Sequence, residues 1–383
     1  MAMWSMACDS PGSPDNQIPP FESCLIPALL PNENVEVKEG LFFAGDLEIV
    51  PHGIDSYPLL QHMGNGDLSS IRDILNQAKS LGRPIVRTNA FMDGGENSAR
   101  LRDEDGTIRE EGLVALDRII AESKDAQVRL LLVLTNNWED FGGAQAVVDA
   151  ISFPGESLPK DAFWSERRAV EAQLEYLHEI ITRTNSITGS SYANDATIFA
   201  WELANEARCD DTNWCKSETL ANWAKEMSDE LRLGGAAQPI FWGGAGHLGE
   251  HGEDLRRIGR DGGVDVLTLH LYLNHTHSDL YLLPKTQRID EAIQIGAAII
   301  RDRVEVSREV GLPLVIEELG WEPPAASDRD AERAAIYEGW LAVAHEEGVA
   351  TMPWMIGEEG REDYDGLLIR PDDKHTRDVI SCY

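Results

Sequence analysis

The chain has 383 residues, a formal net charge of −34 and 42% hydrophobic residues. Such acidity repels polyanions, which argues against nucleic acids and anionic membrane surfaces and leaves a neutral substrate as the easier ligand. No apolar run reaches the ~20 residues needed to span a bilayer, so no membrane span is expected.

In chain order, residues 1–37 read as a polar tail and lead-in. No charged start followed by an apolar stretch is visible; Ser5-Met6-Ala7-Cys8, ahead of a Ser/Pro/Gly stretch, loosely resembles the end of a truncated lipoprotein signal, and a secreted or cell-surface location is expected. A strand is expected over 41–50, then a helix over 68–81 capped by Asp67. Strands follow at 84–88 and 128–135 with a helix over 111–123 between them; the second strand is almost continuously apolar, as when both faces are buried. A helix over 165–184 with Ser165 as its cap precedes a strand at 197–203. A helix over 217–233, a short strand at 239–242 and a strand at 264–269 continue the alternation. A helix over 289–310 stops at Gly311, a strand covers 312–316, a helix over 328–347 stops at Gly348, and the eighth strand covers 350–355.

Eight strands alternating with helices, without a repeat or linker, place the chain in the α/β class as a single (β/α)8 TIM barrel over 38–383. A doubly wound open sheet would need a phosphate-binding glycine loop after its first strand, and Pro51-His52-Gly53-Ile54 does not supply one. Five cysteines, Cys8, Cys24, Cys209, Cys215 and Cys382, leave at least one unpaired within the chain. Cys209 with Cys215 and Cys24 with Cys382 are candidate disulfides of an oxidising compartment, with free thiols the alternative.

In such a barrel the chemistry sits at the C-terminal ends of the strands. The polar residues expected there are Arg87, Asn136, Asn137, Trp138, Asn205, Glu206, His270, Tyr272, Glu317, Glu318 and Trp354. Two facing carboxylates suit glycosidic cleavage: one protonates the leaving oxygen and the other attacks the sugar or activates water. Aromatic rings offer flat platforms for sugar faces, although for Trp138, Trp242 and Trp321 core packing is an equal alternative.

The residues carrying this chemistry resemble glycoside hydrolase family 5, in particular its endo-β-1,4-mannanase branch. The likeness lies in Val86-Arg87-Thr88-Asn89-Ala90-Phe91, in residues 136–143, in Thr197 to Cys209 around Trp201-Glu202-Leu203-Ala204-Asn205-Glu206, in Ile316-Glu317-Glu318-Leu319-Gly320 and in Asp363-Tyr364-Asp365-Gly366. The resemblance implies Glu206 as general acid/base and Glu318 as nucleophile of a retaining hydrolase of β-1,4-mannosidic bonds, with the carboxyl groups about 5–5.5 Å apart. Glu318 stands immediately before Leu-Gly, and strand alternation leaves only one of Glu317 and Glu318 to face the mouth. It further implies that Arg87 orients the nucleophile and Asn205 binds the sugar 2-hydroxyl. His270 and Tyr272 would lie near the two glutamates, with Trp354 as the sugar platform and Trp138 as a weaker one. A monomer without cofactor or metal is expected.

The chain departs from the mannanase pattern at three places. Asn89 stands where Trp is usual, Ala207 where Pro is usual, and residues 242–247 lack a Gly-Glu-Gly motif. Another β-mannoside, a short oligosaccharide or a β-glucan therefore stays open as substrate. His247-Leu248-Gly249-Glu250-His251 has the H-x-x-E-H spacing of a zinc peptidase, which requires a helix, and the surrounding glycines argue for a loop. His270, His275 and His277 read as one site histidine and two exposed ones. A carbohydrate-binding protein that has lost activity is the remaining alternative, and a saline habitat would fit the acidic surface.

Overall fold

The computed structural model describes residues 33–383 except 275 and 326. It opens with an antiparallel sheet of β1 (Val35–Lys38), β2 (Leu41–Ala44) and β3 (Leu47–Ile49), in that order. The turn between β1 and β2 is Glu39-Gly40, both at positive φ, the two-residue form that matches the strands' twist. Residues 41–50, expected as the first barrel strand, are thus mostly a hairpin outside the barrel. Their apolar–polar alternation suits either role. The true first barrel strand is the two-residue β4 (Ile54–Asp55), in a segment for which no element was expected.

The remaining elements follow as helix and strand. They are α1 (Leu59–Gly64), α2 (Leu68–Ser80), β5 (Ile85–Asn89), α3 (Glu110–Ala126), β6 (Arg129–Val133), α4 (Gly143–Ile151), α5 (Arg167–Thr182), β7 (Ile198–Glu202), α6 (Thr219–Leu233), β8 (Ile240–Phe241), α7 (Leu255–Asp261), β9 (Leu267–Tyr272), α8 (Lys285–Val310), β10 (Leu314–Gly320), α9 (Arg329–Glu347), β11 (Ala350–Pro353) and α10 (Lys374–Cys382). Asp67 caps α2 by accepting from Ser70 N, and Gly311 and Gly348 end α8 and α9 in the left-handed conformation. Ser165 does not cap α5. Glu166 does, accepting from Arg168 N, while Ser165 turns its hydroxyl to Trp214 O.

β4 to β8 pair in parallel in sequence order, and β9 to β11 do likewise. Trp242 N donating to Val266 O at 3.1 Å joins the two groups, and Gly53 N donating to Thr351 O at 3.0 Å closes the ring, so the eight strands form the expected barrel. One apolar core fills the space between helices and sheet. A second fills the lower barrel, where Ile85, Leu131, Phe199, Phe241, Val266, Val315 and Met352 meet Val35 and Phe42 of the hairpin sheet. The Phe42 ring lies 6.4 Å from that of Phe199 and 6.3 Å from that of Phe241, plugging the floor. Polar side chains are thereby left to the other end, where the strands terminate.

Candidate active site

Arg87 rises from β5 into the barrel axis and organises the mouth. Its Nε and Nη2 donate to the two oxygens of Glu202, both at 2.7 Å, a bidentate fork. Nη1 donates to Glu318 Oε1 at 2.6 Å and Asp55 Oδ1 at 3.2 Å, and Nη2 also reaches Asn205 Oδ1 at 2.8 Å. Burial works against the guanidinium's charge, but Glu202, Glu318 and Asp55 outweigh it and hold Arg87 firmly protonated. One cation does not neutralise three carboxylates. Burial pushes Glu202 up to about 7 and Asp55 well above the usual range despite Arg87. Tyr272 donates its hydroxyl to the other oxygen of Glu318 at 2.7 Å, and burial with the Glu318 charge keeps that phenol protonated.

Glu206 follows β7 at a positive φ of 49°, a strained backbone for a non-glycine residue. Its N–H is fixed by Gly243 O at 2.8 Å. Gly243 has to be glycine: its φ is +84°, and a Cβ there would stand 2.3 Å from Ala204 O and 2.6 Å from Glu202 Oε1. Glu206 Oε1 lies 3.0 Å from His270 Nδ1, and Oε2 accepts from Trp138 Nε1 at 2.7 Å with Arg208 at 3.7 Å. Burial raises its carboxyl, but His270, Trp138 and Arg208 prevail and hold it at about 2. Burial likewise opposes a charge on His270, yet Glu318, Glu206 and Glu317 keep the imidazole protonated well above its usual range. Single oxygens of Glu206 and Glu318 and a ring nitrogen of His270 lie within 4.8 Å of one another.

These groups line a cavity of about 1080 Å³, above the ~300–1,000 Å³ typical for a drug-sized ligand. Trp354 stands on one wall, stacked on Tyr57 with centroids 5.7 Å apart, its Nε1 donating to Asp365 Oδ2 at 3.1 Å. Trp138 borders the other side, 41% exposed, with Arg208 4.9 Å and Lys160 5.7 Å from its ring centroid. Cys209 and Cys215 form a disulfide in the loop after Glu206.

The sequence profile described as "GH family 5 beta-mannosidase-like" matches residues 58–336, most of the chain. The chain belongs to glycoside hydrolase family 5. It is 30% identical to a putative mannan endo-1,4-beta-mannosidase 9 of Oryza sativa subsp. japonica, over 89% of this chain and 86% of that protein. It is 27% identical to mannan endo-1,4-beta-mannosidase 5 of Arabidopsis thaliana, over 88% and 82%. Among solved structures it resembles an endo-beta-1,4-mannanase from Thermotoga petrophila, with TM-score 0.75 and 27% identity over 88% of this chain and 76% of that one. An endo-1,4-beta-mannanase from Rhizomucor miehei shares the fold with TM-score 0.77 at 24% identity, over 91% and 98%.

In this family 5 barrel the expected residues Arg87, Asn136, Trp138, Asn205, Glu206, His270, Tyr272, Glu318 and Trp354 all line one cavity. Asn137 is buried and does not line it. Trp242 and Trp321 are core residues: Trp242 Nε1 donates to buried Glu253 at 2.7 Å, and Trp321 stacks on Tyr281 at 5.5 Å. Glu317 corrects the alternation argument. The register of β10 shifts between Ile316 and Glu318, so Glu317 also turns inward and reaches His270 Nε2 at 3.1 Å below the cavity. The H-x-x-E-H segment is no helix pair: Glu250 to Gly252 is a 3-10 turn with His251 at φ 53°. His277 is half-buried beside Thr276 rather than exposed. His275, and Cys24 with its expected pairing, lie outside the described residues.

Sequence reasoning missed Asp55 and Glu202 beneath Arg87. It also missed Tyr57 and gave no role at the site to Arg208, His247 and Asp365, which stand on the cavity wall. Glu202 carried a signal, as the single charged residue of an otherwise apolar strand.

Proposed function

We propose that the chain is an endo-acting, retaining hydrolase of β-1,4-mannosidic bonds, with Glu206 as acid/base and Glu318 as nucleophile. The observation that carries this reading is the approach of the two carboxylates to within 4.8 Å across an open cavity. Retaining enzymes keep this pair about 5–5.5 Å apart and inverting ones about 6.5–9.5 Å, so the close approach favours retention. Arg87 and Tyr272 each donate to one oxygen of Glu318, which holds the carboxylate aimed into the cavity. Glu206 gives its proton to the leaving oxygen as Glu318 attacks, then takes one from the water that releases the sugar. Asn205 is locked by Arg87 and by Asn136 Oδ1 at 3.0 Å, which suits a fixed contact to the sugar 2-hydroxyl. Trp354, tethered by Asp365, is the platform for the ring being cleaved. Trp138 spends its N–H on Glu206, so it orients the acid/base besides bordering the leaving sugar.

Mannan as substrate is supported by the names of the relatives. A secreted location is supported by the Cys209–Cys215 disulfide, a bond that persists in oxidising compartments. The test is hydrolysis of linear mannan, galactomannan, β-1,4-glucan and short manno-oligosaccharides, with product sizes and anomeric configuration followed by NMR. Internal cleavage of mannan with retention is expected. Preference for β-glucan, release of mannose alone, or inversion would each overturn the corresponding part of the reading.

A further inference from the structure

β10 brings two adjacent glutamates inward, and the reaction above uses one of them. Glu317 is 0% exposed and outside the cavity wall. Its Oε1 meets His270 Nε2 at 3.1 Å, and its Oε2 meets no donor among the described residues. The other ring nitrogen, Nδ1, lies 3.0 Å from Glu206 Oε1. The imidazole therefore links Glu317, sealed below the cavity, to Glu206 on its wall, with Glu318 Oε2 a longer 3.5 Å from Nδ1.

A neutral imidazole carries one N–H and one lone pair, so it can donate to only one of the two carboxylates. With Glu317 accepting at Nε2, the neutral ring keeps its proton on Nε2 and turns the Nδ1 lone pair to Glu206. Glu206 can then hold its proton as O–H, donated to Nδ1. Moving that proton along the same hydrogen bond gives the imidazolium and an ionised Glu206, with no exchange with water. Without the Glu317 charge the ring is free to place its single N–H on Nδ1, facing Glu206. That arrangement favours the ionised carboxylate, which is useless as an acid.

We infer that Glu317 is a positioning residue for proton transfer: it fixes the Nε2–H tautomer of His270, so that Nδ1 shares one proton with Glu206. The inference rests on Glu206 being the acid/base. In the first half-reaction the Glu206 proton goes to the glycosidic oxygen as its bond to C1 breaks and the Glu318 oxygen bonds C1. In the second, a water oxygen bonds C1, the Glu318 ester breaks and the water proton returns to Glu206. Glu317 keeps its hydrogen bond to Nε2 throughout, as the aspartate of a serine-protease triad keeps its own to the histidine. The other charges around His270 are Glu206 after β7, Glu318 on β10, Glu202 on β7, Asp55 on β4 and Glu253 before α7, with Arg87 bound to Glu202, Asp55 and Glu318. Substituting Glu317 leaves all of these in place.

The experiment is the pH dependence of kcat/KM for Glu317→Gln and Glu317→Leu on the best substrate of the panel, with thermal unfolding alongside. The Gln amide oxygen still accepts Nε2–H but lacks the charge that holds the shared proton. Its alkaline limb is expected to move to lower pH by about one unit, with kcat near the acidic plateau kept within a few-fold. Leu offers no acceptor, and kcat should fall at least about tenfold across the pH range at unchanged KM. A lowered Tm in Glu317→Gln with the alkaline limb unmoved would overturn the inference and leave Glu317 a packing residue. If the Leu variant fails to fold, the Gln variant decides. Full activity in Glu206→Gln would instead overturn the acid/base reading itself, whatever Glu317 does.

Discussion

The floor and the mouth of the barrel are made by the same strands and differ in almost every physical respect. On β7, Phe199 and Ala200 belong to the floor core, while Glu202 at the strand's end receives the Arg87 fork. The floor core is apolar side chains, three of them Phe rings, held by packing. At the mouth three cations, Arg87, His270 and Arg208, face Asp55, Glu202, Glu206, Glu317 and Glu318. Burying that much uncompensated negative charge is unfavourable, and it persists where chemistry needs groups poised between protonation states. Stability and reactivity are thus assigned to opposite ends of one sheet.

That separation can be broken experimentally. The largest effect is expected at the mouth and on rate alone. Glu206→Gln and Glu318→Gln should each lower turnover by at least about 10²–10⁴-fold while Tm holds, as measured by initial rates and calorimetry. Azide restoring activity to Glu318→Gly with inverted product would sharpen the assignment. Arg87→Met should fail on both counts. It strands Glu202 and Glu318, costing about 3–5 kcal/mol in denaturant unfolding, and it disorients the nucleophile. Phe42→Ala is the converse: a loss of about 3 kcal/mol of stability with kcat/KM unchanged at temperatures where the protein stays folded. A large drop in kcat/KM for Phe42→Ala would show that floor and mouth are mechanically linked.

The smallest effect is on stability against pH. Burial raises the Glu202 and Glu253 carboxyls from 4.5 to about 7 in the folded chain. Between those values the folded state holds protons that the unfolded chain has released. Their contribution is full below pH 4.5 and is lost as pH rises through 7. Glu206, held at about 2, acts oppositely: its contribution is present above pH 4.5 and is lost as pH falls toward 2. Tm should therefore peak on the mildly acidic side and decline by a few degrees toward pH 8. A Tm rising steadily through neutrality would contradict the burial of Glu202 and Glu253.

Much of this was legible in the sequence, and the failures have physical reasons. α2, α8 and α9 announced themselves through amphipathic spacing and through Asp67, Gly311 and Gly348 at their ends. β4 did not, because two residues carry no period and its pairing comes from distant Val86 and Arg87. Residues 41–50 carried the alternation of a strand, but alternation does not say which sheet a strand joins. At the site, the motif around Glu206 and the Glu317-Glu318 pair were visible, whereas the meeting of Glu202 and Asp55 on Arg87 is a product of barrel closure. The inward turn of Glu317 depends on a shift in register that no composition rule encodes.

One consequence of the floor concerns attachment. β1 enters the fold at the floor, and α10 leaves it there, where Arg83 donates to Ile380 O at 2.9 and 3.0 Å and to Gly53 O at 3.2 Å. Both termini of the described domain thus emerge on the face opposite the mouth. A neighbouring module or surface tether joined at either terminus would hold the catalyst from behind, leaving the opening free to sweep along a polymer that is itself immobile.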